Sequence, residues 1–98
     1  MTTLHAIHPG EVLREEFLLP LKLSAGSIAR AIHVPRTRIE RLASEQVDLS
    51  PDTALRLARF FGTSPEFWLN LQSRYALERA SDELRAELQH IQPLQLAS

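Results

Sequence analysis

The 98-residue sequence has no cysteine and no apolar run long enough to span a membrane, which takes about 20 residues. The first absence excludes a disulfide framework and thiolate chemistry, and it fits a reducing compartment. The opening "MTTLHAIHPGEV" has neither a basic start nor a long apolar stretch, so no signal peptide and no membrane association are expected, and a cytoplasmic placement is. No segment alternates apolar and polar residues for long, and neither a long repeat nor a linker is visible. The expectation is a single all-α domain over residues 1–98. Signs of catalysis are missing too. His5, His8, His33 and His90 lack the His-Glu-x-x-His spacing of a metal site. Glu15 and Glu16 point about 100° apart on a helix, so they do not form an acid–base pair. There is no glycine-rich phosphate loop and no Ser-His-Asp pattern. The chain therefore reads as no enzyme, with no metal and no cofactor.

What is present is a set of helix starts. "HPGEVLREEFL" places Pro9 near a first turn with Glu11 close behind. "LSAGSIARAI" offers Ser24 as an N-cap, and "SPDTALRLARFFG" offers Ser50, Pro51 and Asp52. "TSPEFWLNL" repeats that device with Ser64, Pro65 and Glu66. Ala54, Leu57, Ala58 and Phe61 recur at helical spacing, and Gly62 reads as the stop. Leu84, Leu88 and Ile91 suggest a last helix over about 81–91, beginning near Ser81 or Asp82, followed by a frayed tail over 92–98. The sum is a compact five- to six-helix bundle.

Charge is unevenly placed. Net charge is −1 overall, yet residues 24–44 hold Arg30, Arg36, Arg38 and Arg41 against Glu40 alone. A local basic patch is the footprint expected of a polyanion binder. On a helix over residues 35–42, Ile39 and Leu42 share one side within about 60°. Arg36, Thr37, Glu40, Arg41 and Ser44 take the other, with Arg38 on the margin. Upstream, Ile28, Ala29, Ile32, His33 and Val34 complete the pattern of two helices crossing at a short turn, over about 24–44. Ala29 must be small where the helices cross, Val34 fills the corner, and Ile28, Ile39 and Leu42 anchor both helices. In such a helix-turn-helix the second helix enters the major groove. Arg36, Thr37 and Arg41 then face base edges, and an arginine can donate two hydrogen bonds to a guanine. Glu40 is expected to hold Arg36 through an i, i+4 pair. Ser24, Ser27 and Ser44 are candidate phosphate contacts, and Arg38 a supporting one.

With these motifs in view, "HPGEVLREEFL" and "LARFFGTSPEFWLNLQSRYAL", flanking the helix-turn-helix, resemble the HigA-type (VapI-like) antitoxins of bacterial toxin–antitoxin modules. These lie within the Xre/Cro-like, lambda-repressor-like group. The resemblance runs from residue 8 to about 78. It implies a homodimer that binds a palindromic operator in its own promoter and represses its own operon. It also implies a partner, a RelE-like (HigB-like) toxin that cleaves mRNA. In related repressors the base-reading places correspond to Arg36, Thr37 and Arg41, and Ser24 to a usual phosphate contact. The chain departs from the pattern at Ala25, at His33 in a turn place that is often glycine, and at the acids Glu45 and Asp48 after the second helix, which oppose phosphate contact.

Trp68, Leu71 and Tyr75 are candidate dimer contacts, Trp68 dividing its surface between core and partner, with Asn70 and Gln72 as polar edges. Leu77, Ala80, Leu84, Leu88 and Ile91 read equally as a dimer or toxin surface or as cover for the bundle. Two further readings stand beside the antitoxin: a stand-alone repressor of the same fold, and a protein-binding module with weakened DNA binding.

Overall fold

The computed structural model describes residues 6–95; His5, most of the segment before the first helix and residues 96–98 lie outside them. The described residues form helices and turns, with no strand among them. The first rod comprises α1 (Pro9–Val12), a π-helical stretch (Leu13–Leu18) and α2 (Leu19–Leu21). His8 caps it, its Nδ1 accepting from the Gly10 N–H at 2.8 Å. The π stretch has a local cause. Pro20 lacks an N–H and its ring collides with the carbonyl one α-turn back. Widening the turn, with Leu19 N–H donating to the Arg14 carbonyl five residues earlier, lets the rod pass through the proline. Lys22 ends the rod in the left-handed region at φ 56°.

The crossing pair is α3 (Ala25–Ile32) and α4 (Arg36–Ala43). Ser24 and Ser27 form a reciprocal capping box at the start of α3. Pro35 stands one place before α4, as its N-cap. α5 (Pro51–Phe61) and α6 (Pro65–Glu83) begin at the expected caps. The Ser50 hydroxyl accepts from Thr53 N–H at 3.2 Å, and that of Ser64 from Phe67 N–H at 3.0 Å. Gly62 closes α5 at φ 74°. One core runs through the crossing: Leu13, Ile28, Ile39, Leu42, Leu57 and Trp68 are all sealed from solvent.

One expectation needs correction. No helix starts near Ser81 or Asp82: α6 continues to Glu83, and only a single turn, α7 (Arg85–Leu88), follows. Neither glycine nor proline interrupts the chain between Glu66 and Leu84, so nothing stops the ladder where a cap was read. The helical bundle stands as expected, and an arm lengthens the molecule beyond it. Its radius of gyration is 17.2 Å and its longest extent 57 Å, against about 13 Å of radius for a compact chain of this length. From Ala76 onward α6 and then α7 run out as a largely exposed arm.

Candidate nucleic-acid interface

The rear of α4 is fixed before its front is considered. Ile39 and Leu42 are buried beneath the helix, Ala29 lies buried where α3 passes, and Val34 is half-buried in the corner. His33 takes the left-handed conformation at φ 64°, the place where glycine was the expected occupant. Its strain is held by the N–H groups of His33 and Val34 bonding back to Arg30 and Ala29 carbonyls.

With the rear anchored, Arg36, Thr37, Arg38, Glu40 and Arg41 all stand exposed on the outer side. The structure brings Arg36 and Glu40 together as expected, Nε to Oε2 at 3.3 Å. This pairs one edge of the guanidinium and turns the other outward. Arg38 leans back instead. Its Nη1 donates to Asp52 Oδ1 at 2.9 Å, which also accepts from Arg56 Nε at 2.8 Å. The bond from Arg56, above all, and the added pull of Arg38 hold the Asp52 carboxyl below its ordinary value.

The serines divide. Ser24 Oγ accepts from Ser27 N–H at 3.0 Å and keeps its hydroxyl proton for an outside acceptor. Ser27 spends its proton on the Ser24 carbonyl at 2.9 Å. Ser44 spends its own on the carbonyls of Glu40 and Arg41, at 2.9 and 3.3 Å. Ser24 is thus the best placed of the three to grip a phosphate.

Several residues that position this face escape a sequence reading. Arg14, on the π stretch, donates through Nη1 to the Ala43 carbonyl at the end of α4, and its Nη2 meets Glu45 Oε2 at 3.2 Å. It therefore satisfies a carbonyl that the helix end leaves open. Glu45, read as a residue repelling phosphate, is instead neutralised within the chain. The bond to Glu15 does most to raise the pKa of Arg14; burial opposes it, and the bond to Glu45 and the charges of both carboxylates add to the rise. Arg56 on α5 reaches the turn, Nη1 donating to the carbonyls of Ile32 at 2.8 Å and His33 at 3.4 Å. Gly10 supplies the remaining support. A side-chain carbon there would stand 1.7 Å from the Leu42 carbonyl oxygen, so only glycine lets α1 lie against the end of α4. The signal for Gly10 and Arg14 was the "HPGEVLREEFL" motif, whose partners were not visible.

The proposed dimer contacts also change. Trp68 is wholly enclosed, ringed by Phe17, Phe61 and Phe67 at centroid distances of 5.1, 6.3 and 5.2 Å. Its Nε1 donates to Thr63 Oγ1 at 2.8 Å, so its one polar atom is satisfied inside. It has no surface left to offer a partner. Leu71 packs on the core, and Tyr75 meets the edge of His8 at 4.7 Å. Gln72 has a role inside the chain: its Oε1 accepts from Leu49 N–H at 2.7 Å, tying the loop after α4 to α6.

A helix-turn-helix family model matches residues 13–68, the span from the π stretch to Trp68. Virulence-associated protein I of Dichelobacter nodosus is 50% identical over 78 residues, covering 80% of this chain and 72% of that protein. Antitoxin HigA-1 of Vibrio cholerae is 34% identical over 85 residues, covering 87% of this chain and 80% of that one. Among solved structures, the Pseudomonas aeruginosa antitoxin HigA, determined with the higBA promoter, superposes with a TM-score of 0.90. It is 41% identical, and the match covers 93% of this chain and all of that one. The buried rear, the exposed basic front and these likenesses agree: the chain belongs to the helix-turn-helix family, in the branch that holds HigA and virulence-associated protein I.

Proposed function

We propose that this protein is a cytoplasmic antitoxin that acts as a dimeric repressor of its own operon and neutralises a RelE-like, mRNA-cleaving toxin by direct binding. The observation that carries the DNA-binding half is the geometry of α4, with Arg36, Thr37 and Arg41 exposed above a buried Ile39 and Leu42. The Pseudomonas aeruginosa likeness supports it, since that antitoxin was solved with a promoter. In this reading Arg36, Thr37 and Arg41 address base edges. Ser24 donates to phosphate, and Arg38 becomes a phosphate contact when it leaves Asp52. Ser27, Glu40 and Ser44 hold the geometry rather than the DNA.

Dimerisation is assigned to the arm. Leu77, Leu84, Leu88 and Ile91 are exposed there by 66, 48, 48 and 61%, a run of large apolar side chains that one chain leaves uncovered. Pairing through it must set the two α4 helices about 34 Å apart, or a multiple of that, for successive major grooves. The toxin half rests on family likeness, and no catalytic step is assigned to the chain.

The test is a mobility shift on the DNA upstream of the gene, with co-expression of the neighbouring reading frame. Arg36→Ala and Arg41→Ala are each expected to weaken binding about tenfold or more without loss of helicity. Affinity should fall steeply with salt as counterions are released. Equal affinity of wild type and both variants for that DNA overturns the repressor reading. Failure of the neighbouring product to co-purify leaves the stand-alone repressor in its place.

A further inference from the structure

The space around Gly26 has a use that its backbone does not explain. Gly26 is the second residue of α3, and among the described glycines only Gly62 has a positive φ. The conformation at position 26 is thus open to any residue, and a glycine there weakens the helix relative to alanine. What distinguishes the position is its neighbour. A side-chain carbon at Gly26 would stand 3.2 Å from Arg36 Cδ and 3.8 Å from Arg36 Cγ, with Arg30 Nη1 next at 3.9 Å. The stem of Arg36 lies across bare backbone at the start of α3.

Arg36 needs such a bed. Its side chain is 70% exposed and has four rotatable bonds, and among the described residues the ion pair to Glu40 is its other restraint on the outer face. A bidentate contact to a base tolerates little misplacement, so a freely moving arginine loses both affinity and discrimination. We infer that Gly26 is a specificity-determining residue: its missing side chain lets Arg36 lie flat against α3, and Glu40 then fixes the direction of the guanidinium. The inference rests on the assignment of Arg36 as a base reader and adds the part of the molecule that sets its reach. Because the stem of Arg36 lies at the surface with solvent above it, an alanine at 26 lifts it by a few tenths of an ångström without breaking the fold. The consequence therefore falls on readout, not on stability.

The test uses a duplex enriched from a random pool by the wild-type protein, together with its single base-pair variants. Affinities are compared for wild type, Gly26→Ala, Arg36→Ala and Arg30→Ala, and for Gly26→Ala combined with each of the two arginine variants. Gly26→Ala is expected to melt no lower than wild type, yet to lose about tenfold on the parent duplex. That loss should concentrate at the base pair to which Arg36→Ala has become indifferent, and should vanish in the Arg36→Ala background. It should persist in an Arg30→Ala background. Wild-type binding by Gly26→Ala overturns the inference. So does a loss of equal size with and without Arg36, a loss spread evenly over all duplexes, or a loss that disappears with Arg30. If Arg36→Ala itself reads every base pair as wild type does, the base-reader assignment falls first and this inference with it. An intact Arg36 effect beside an independent Gly26 effect sinks this inference alone.

Discussion

The two ends of the functional surface are built in opposite ways. The α3–α4 pair is held from all sides by the chain itself. Arg14 satisfies the end of α4, Arg56 the turn, Gln72 the loop beyond, and Gly10 admits the first rod against Leu42. The arm formed by the end of α6 and α7 has almost no such support: Leu77 and Leu84 face solvent, and its ion pairs, such as Arg79 with Glu83, are local and exposed. A surface that must meet DNA in a set orientation is finished within one chain. On the proposed reading, a surface whose apolar residues lie open is left for another chain to finish.

This contrast sets an order of expected effects on folding. The largest belongs to Gly10→Ala. A carbon driven into the Leu42 carbonyl must part α1 from α4, at about 3 kcal/mol or more, read as a lower midpoint in urea and a matching loss of DNA binding. Next is Arg14→Met, which keeps the stem but removes both the cap on Ala43 and the partner of Glu45. It should cost about 1–2 kcal/mol and weaken DNA binding without touching any DNA-facing side chain. If urea midpoints leave both variants at wild-type stability, the claim that the first rod seats α4 is wrong.

A smaller effect concerns pH. Asp52 is held below its unfolded pKa by Arg56 and Arg38, so folding favours its ionised form. Its contribution is fully present above the unfolded value near about pH 4 and is lost as pH falls through the lower folded value. Asp52→Asn should therefore lower stability slightly at neutral pH, leave it unchanged at low pH and so flatten the profile on the acid side, a small effect because the network is solvent-exposed. At neutral pH the same change frees Arg38, and tighter, more salt-sensitive DNA binding is the expected result. The smallest folding effect is assigned to Leu84→Glu with Leu88→Glu. The thermal midpoint of the separated chain should not move, yet sedimentation should show monomer in place of dimer. A double variant that still sediments as dimer would transfer the interface elsewhere.

The same contrast explains what could be read in the sequence. Caps at Ser24, Ser50 and Ser64 are local bonds between residues three apart, so the pattern of letters carries them. The outward set of α4 follows from helical periodicity over eight residues. Arg14, Arg56, Gln72 and Gly10 act on residues 23 to 32 positions away along the chain, and no periodicity registers such a partner. Trp68 misled for a related reason. Its aromatic neighbours Phe17 and Phe61 come from other elements, so one helix alone could not show that it was enclosed. Ser81 and Asp82 resemble a cap that starts a helix, whereas they lie in the last turn of α6, where Asp82 pairs with Arg85.

Among the described residues, three that are not glycine, Lys22, His33 and Glu45, occupy left-handed backbone at φ 56, 64 and 65°. Each sits at the end of the first rod, of α3 or of α4, where the chain has to reverse. This makes a short route to a hardier protein. Glycine at 22 and 33 relieves conformational strain of about 1 kcal/mol apiece, and neither side chain is needed to hold a neighbouring helix. Glycine at 45 would gain the same relief and forfeit the carboxylate that Arg14 grips, so engineering for heat resistance should stop at two.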